Sequence, residues 1–208
     1  MHREEVHQIL IRHVPEQAVD YCLNLWLAAP FQFRLTKSRQ TKVGDFTCST
    51  SRKPRITVNE DLNPYLFLTT YVHEVAHLRV HLAHARTIDP HGREWKQTFQ
   101  ELLQPLLLTD SVYPEEILHL LRLHMVDPKA SSFSDTELTE AFRKFDPHFH
   151  RYQRVHDIPS GSIFKLNGRY FQKGQLRRTR VLCKELTSKR LYLVPMDALV
   201  TDVQLSFL

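Results

Sequence analysis

The chain has 208 residues, 42% of them hydrophobic and 25% charged, with a net charge of +5. Those proportions exclude a disordered or fibrous chain and leave room for one large domain or two small ones, each with a real core. No run approaches the roughly eighteen apolar residues of a membrane span, and the start Met1-His2-Arg3-Glu4-Glu5 has no apolar signal core. Three scattered cysteines, Cys22, Cys48 and Cys183, form no C-x-x-C pair, so a cytoplasmic protein without a disulfide frame is expected.

In chain order, a helix is expected from Glu4 to His13. Another follows from Pro15 to Leu27, where Val19, Cys22, Leu23 and Trp26 share one face at helical spacing. Short apolar runs over Phe31 to Leu35 and Arg55 to Val58 predict strands, with a further one between them over Phe46 to Thr50. Seven cations crowd this region: Arg34, Lys37, Arg39, Lys42, Arg52, Lys53 and Arg55. They either extend a groove for a polyanion or keep edge strands soluble. A strand edge near Arg55 to Val58 is expected to bind an extended peptide by adding it to the sheet.

Asn63-Pro64 reads as a helix start, with Asn at the cap and Pro at the first helical position. No Gly or Pro interrupts the chain from there to about Arg86, and Leu68, Val72, Val75, Ala76, Leu82 and Ala83 supply an apolar stripe. Inside this helix lies His73-Glu74-Val75-Ala76-His77. Residues four apart on a helix stand about 40° apart in azimuth and roughly 6 Å apart along the axis, so both imidazoles can reach one metal ion. H-E-x-x-H is the zinc-peptidase pattern of two ligands and a general base.

A catalytic zinc needs a third protein ligand and an open position. His81 and His84 lie about 6 Å and 10 Å further along the axis than His77, too far to share the ion. Asp89-Pro90 reads as a second cap-and-proline pair, opening a helix through Trp95, Phe99, Leu102 and Leu103. His91 would then sit in the first turn, facing the first two ligands, and Glu94 is the other candidate. The metzincin continuation is excluded, because it needs Gly and His where this chain has Val80 and Ala83. Tyr65, Tyr71 and Tyr113 are candidates to steady an oxyanion, though each reads more readily as an ordinary packed tyrosine.

His91-Gly92-Arg93-Glu94-Trp95 follows the H-E-V-A-H pentapeptide after thirteen residues. Upstream stand Phe33-Arg34-Leu35, Ser38-Arg39, Lys42-Val43-Gly44 and Ile56-Thr57-Val58. In this combination the chain resembles the SprT-like zinc metalloprotease family of bacterial SprT and Spartan-like proteins, over about half its length. The resemblance implies a zincin-like fold, with His73, His77 and His91 as ligands of one catalytic Zn2+. It implies Glu74 as the general base that takes a proton from water and passes it to the leaving amine. It also implies DNA-associated or DNA-crosslinked proteins as substrates. The chain departs from many bacterial members in lacking a cysteine-rich zinc ribbon after the protease domain.

Pro105 should kink or end the second site helix near Leu108, and Pro114 opens a helix to about His124. Ser134-Asp135-Thr136-Glu137 reads as a capping box before a helix ending near Phe145. After Pro159 short strands follow: Ser162 to Leu166, Tyr170-Phe171, Leu176 to Leu186 and Arg190 to Val194, with turns at Asn167-Gly168 and Lys173-Gly174. Residues 160–208 carry nine cations, Lys165, Arg169, Lys173, Arg177, Arg178, Arg180, Lys184, Lys189 and Arg190, against Glu185, Asp197 and Asp202. With Tyr170, Phe171 and Tyr192 interleaved as exposed aromatics, this basic sheet predicts phosphate contacts and base stacking, hence DNA binding, single- or double-stranded. His119, His124, His148, His150 and His156 read as surface or core residues.

The expected architecture is α+β. A mainly helical, zincin-like metalloprotease domain with a small antiparallel sheet covers residues 1–159, and a small basic all-β module covers 160–208. The expected function is zinc-dependent cleavage of proteins held on DNA. The alternatives are a nucleic-acid-associated transcription or regulatory protein with a non-catalytic zinc, and a zinc hydrolase acting on other bonds.

Overall fold

The computed structural model describes residues 1–39, 42–49, 52–84, 89–129, 135–146 and 152–204. The chain is α+β and divides into two compact units, Met1–Asp146 and Pro147–Leu208. No helix among the described residues is long and apolar enough to cross a membrane.

The first unit opens with helices α1 (Arg3–His13) and α2 (Val19–Ala28), the second entered through a 3-10 turn over Glu16–Ala18. Val6 and Leu10 of α1 are buried, as are Val19, Cys22, Leu23 and Trp26 of α2, which is the face the spacing predicts. Trp26 Nε1 donates to the Phe31 carbonyl at 2.9 Å, satisfying the buried indole and fixing the entry to the sheet.

Strands β1 (Gln32–Thr36), β2 (Gly44–Ser49) and β3 (Arg52–Asn59) form one sheet in the order β1-β3-β2. β2 and β3 are antiparallel, while β1 runs parallel to β3. The small sheet is therefore mixed rather than antiparallel as expected, because β3 turns back from β2 and inserts between its two neighbours. This also moves the expected peptide edge. Arg55 to Val58 has a strand on each side, so the edges among the described residues are β1 and β2. Phe33, Ile56 and Phe46 pair across the three strands and share one face. Phe33 and Ile56 are fully buried there, with Phe33 packed edge-on to Tyr71 at 5.2 Å.

Helix α3 (Pro64–His84) lies against that sheet. Its Leu68, Val72, Val75 and Ala76 are fully buried, whereas Leu82 and Ala83 are exposed, because the last turn runs out beyond the core. Asn63 caps it, with Oδ1 accepting from Leu66 N–H at 3.0 Å. The Asn63 amide also donates to the Phe142 carbonyl at 2.9 Å and to the Asp146 carboxylate at 2.7 Å, tying α3 to the end of α6 (Thr136–Arg143). Asn63→Ala removes a cap worth about 0.5–2 kcal/mol and takes the amide donor from the half-buried Asp146 carboxylate at about 1–3 kcal/mol, while the Phe142 carbonyl keeps Phe145 N–H at 3.0 Å. The expected result is a melting temperature lower by roughly 5–15 °C in a thermal scan; no change would deny Asn63 this bridging role.

Helix α4 (Arg93–Leu108) starts later than expected, with Gly92 rather than Asp89 at its cap. The Asp89 carbonyl accepts from Gly92 N–H at 3.0 Å and its carboxylate accepts from His91 N–H at 3.2 Å. Asp89-Pro90 therefore closes a turn instead of opening the helix, and His91 sits in that turn. Pro105 lies in the last turn of α4, which ends at Leu108 as expected. Helix α5 (Glu115–His124) follows Pro114. The cap of α6 is Asp135, whose carboxylate accepts from Leu138 N–H at 3.2 Å, and Ser134 lies outside the described residues.

The second unit is one six-stranded sheet of β4 (Gln153–Arg154), β5 (Ile163–Leu166), β6 (Arg169–Arg177), β7 (Arg180–Glu185), β8 (Leu191–Pro195) and β9 (Leu199–Gln204). Its order is β4-β9-β5-β6-β7-β8, with every neighbouring pair antiparallel. It buries Val155, Phe164, Phe171, Val181, Cys183 and Val200. Asn167 at φ 49° and Gly168 at φ 77° make the expected tight turn between β5 and β6. Lys173-Gly174 is not a turn. β6 runs on to Arg177 and the chain reverses at Arg178-Thr179, which also splits the single strand expected over Leu176 to Leu186. A Cβ at Gly174 would stand 2.4 Å from the Leu182 carbonyl oxygen, so this glycine lets two strands approach.

Candidate metal centre

The middle of α3 presents His73, Glu74 and His77, and the turn before α4 presents His91. His77 Nε2 stands 3.2 Å from His73 Nε2 and 3.1 Å from His91 Nε2, and the three ligand atoms all lie within 4.8 Å of one another. A tetrahedral zinc with bonds of about 2.0–2.1 Å puts two ligand nitrogens roughly 3.3 Å apart, so the spacing fits. Hydrogen bonding alone does not account for it. A neutral imidazole nitrogen carries either one lone pair or one N–H, so His77 Nε2 cannot satisfy two partners, whereas a cation takes all three lone pairs. The donor set of three imidazoles suits zinc. Glu94 is exposed and outside this group. His81 packs its ring on Phe46 at 5.6 Å, and His84 is exposed.

Trp95 forms the floor of the cluster. It is fully buried, and its ring centroid lies 4.6 Å from His73, 5.3 Å from His77 and 4.9 Å from His91. Phe99 stacks beneath it at 5.0 Å. His91, in the turn before α4, and Trp95, in the first turn of α4, meet at the start of that helix. This apolar support has a chemical effect. Burial, then His77, His91 and His124, pushes His73 down to about 3, and burial, then His91, pushes His77 down to about 4. His91 is lowered too, chiefly by burial. All three are held in the neutral form that ligates metals.

Glu74 is only 6% exposed and faces β2. Asn59 N–H donates to the Val43 carbonyl, so Val43, Asp45 and Thr47 are the positions bonded to β3. Gly44 and Phe46 then turn their backbone groups to the open edge of β2, on the side where Gly44 meets Glu74. Burial, then Asp45, pushes the Glu74 carboxyl up to about 8, while Arg39, Lys42 and Phe46 N–H pull the other way. Gly44 makes the approach feasible. A Cβ there would stand 2.5 Å from Glu74 Oε1 and 2.6 Å from Thr70 Cγ2.

Of the tyrosines considered for an oxyanion, Tyr71 and Tyr113 have their hydroxyls engaged elsewhere, and Tyr65 is held by ring packing. Tyr71 donates to the Cys22 carbonyl at 2.9 Å, Tyr113 shares a hydrogen bond with Thr69 at 3.1 Å, and Tyr65 packs on Phe145 at 4.9 Å. His124 is a residue whose connection the sequence reading missed. It is buried at the end of α5, its Nδ1 is 3.4 Å from the Asp135 carboxylate, and it contributes to lowering His73. Nothing in its spacing points to the centre, since α5 is brought there by tertiary packing alone.

The nine basic residues of the β module are not equivalent. Lys165 pairs with Asp202 at 3.6 Å, and Arg169 meets Glu185 at 3.4 Å while lying over the rings of Phe171 and Tyr192. Lys173 Nζ donates to the His156 and Ile158 carbonyls at 2.9 Å and 2.6 Å. Arg177, Arg178 and Arg180 stand exposed at the β6–β7 turn, Lys189 and Arg190 at the β7–β8 turn, and Lys184 along β7. The two turns mark opposite ends of β7, about 17 Å apart at ~3.3 Å per residue, so they do not form one patch. Of the aromatics expected to be exposed, only Tyr170 is. Phe171 is core, and Tyr192 is half-buried beneath Arg169.

Comparison with protein-family models, curated proteins and solved structures gives no match for this chain. The functional reading rests on the residues and their geometry.

Proposed function

We propose that the chain is a zinc-dependent metallopeptidase of the SprT-like kind, acting on proteins associated with DNA. The observation that carries this reading is the convergence of His73, His77 and His91, with Glu74 beside them on the same helix. Zinc held there supplies a Lewis acid that polarises a carbonyl and acidifies water. Glu74 takes the proton and returns it to the leaving amine, and a carboxyl pushed up to about 8 suits both halves of that task. Three protein ligands leave a fourth tetrahedral position for the reaction. An extended substrate adds to the outer edge of β2, next to Glu74, rather than to β3. Arg177, Arg178 and Arg180 supply phosphate contacts from the second unit.

The test pairs metal analysis with cleavage of a DNA-bound protein. The expected result is about one zinc per chain, activity lost to a chelator and restored by zinc, and faster cleavage when DNA is present. Tight DNA binding with zinc but no turnover would favour the regulator. Hydrolysis of small esters or amides with no protein cleaved would favour a different zinc hydrolase.

A further inference from the structure

The face of the three-stranded sheet opposite α3 carries a cleft of about 410 Å³ that the metal centre does not use. Register explains its lining. Gln32, Arg55 and Thr47 pair side by side across β1, β3 and β2, one residue off the buried row Phe33–Ile56–Phe46, so they project from the opposite face. Arg34 and Lys53 lie two residues along their strands from Gln32 and Arg55 and line the same cleft. A bulge between Thr47 and Ser49 bends β2 at its rim.

The chemistry of the lining is one-sided. Gln32, Arg34, Thr47, Ser49, Lys53 and Arg55 are all polar or cationic, and no acid is among them. Asp45, the acid nearest along β2, is taken by Lys42 at 2.7 Å. Arg55 Nε donates to Thr47 Oγ1 at 3.2 Å, which fixes the guanidinium, leaves its two terminal nitrogens to the cleft, and frees the Thr47 hydroxyl proton to donate outward. Fixed cationic forks with hydroxyl donors suit phosphate oxygens. The seventh lining residue, Cys48, is the one side chain there that is neither charged nor a strong hydrogen-bonding group, and it is too small to anchor a lipid chain or a hydrophobic peptide. Seven cations against one acid over residues 31–59 provide a field for a polyanion rather than a single ion.

We propose that this cleft binds the phosphate backbone of a single-stranded polynucleotide, giving the first unit its own nucleic-acid contact, separate from the β module. It shares only the nucleic-acid part of the reading above. Cys48 supplies a direct readout, because it lines the cleft and is exposed while Cys22 and Cys183 are buried. With a neutral alkylating reagent, saturating oligothymidylate is expected to slow Cys48 modification in proportion to the fraction of protein bound. Salt should restore the rate. Lys53→Gln with Arg55→Gln should abolish the protection and flatten the salt dependence of binding by about 0.7 for each phosphate no longer neutralised.

Unprotected Cys48, at an oligonucleotide concentration where fluorescence anisotropy shows binding, overturns the proposal. Equal protection by polyglutamate or by inorganic phosphate alone overturns the ligand class. The unmodified protein carries the first arm, and the readout involves neither zinc nor turnover. Its failure is therefore distinct from failure of the peptidase reading.

Discussion

Glu74→Gln is expected to keep the metal and lose the protease. Glu74 is not one of the three converging ligands, so zinc content should equal that of the parent. A glutamine of the same shape fills the same space against Gly44 and Thr70, and it cannot take a proton. Loss of a positioned general base lowers turnover by about 10²–10⁴-fold. A second readout separates this from a folding defect. In the zinc-free protein the Glu74 carboxyl is pushed up from 4.5 to about 8, mainly by burial. Between those values the unfolded chain is ionised where the folded one is not, so the parent loses stability as pH rises through that window. Glutamine has no such loss. The zinc-free variant should therefore melt higher than the zinc-free parent near pH 8 and equally near pH 4, a stability gain at the expense of function. Parental cleavage rates in a zinc-loaded Glu74→Gln protein would end the mechanism proposed here.

The parts of the site legible in the sequence were those written in local spacing. Asn63-Pro64 announces α3, and H-E-x-x-H places two imidazoles and a carboxylate on it, because a helix converts sequence separation directly into geometry. His91 was legible as a ligand candidate, but its place in a turn was not. The same Asp89-Pro90 pair can cap a helix or close a turn, and the backbone contacts of Asp89 decide between them. Sheet order was beyond local reading. The parallel β1–β3 pairing depends on β3 returning between its neighbours, and the two-residue β4 is too short to carry a pattern. Gly44 and Gly174 both make room for a neighbour distant in sequence, yet a glycine signals a turn just as readily. Charge gave the sign of the β module but not its surface. Lys173 looks like a phosphate contact by composition, and the fold spends its ammonium on two backbone carbonyls.

His91→Ala is expected to weaken zinc binding by more than about 10²-fold, since losing even an outer-shell partner of a ligand costs about 10–100-fold. The reason lies in how the cluster is built. His73 and His77 come from one helix, and His91 alone brings an imidazole from outside it. Without His91 the two remaining imidazoles present only a pair of lone pairs on one side of the ion. They stay neutral, since burial holds them near 3 and 4, so protons do not explain the loss at neutral pH. Glu94→Ala is the discriminating control, because Glu94 is exposed and outside the cluster. It should leave zinc affinity at the parental value. Equilibrium zinc competition against a chromogenic chelator, for both variants, separates the two candidates. The reverse pattern, with His91→Ala silent and Glu94→Ala weak, would make the third ligand a carboxylate and remove the imidazole triad on which the peptidase reading stands.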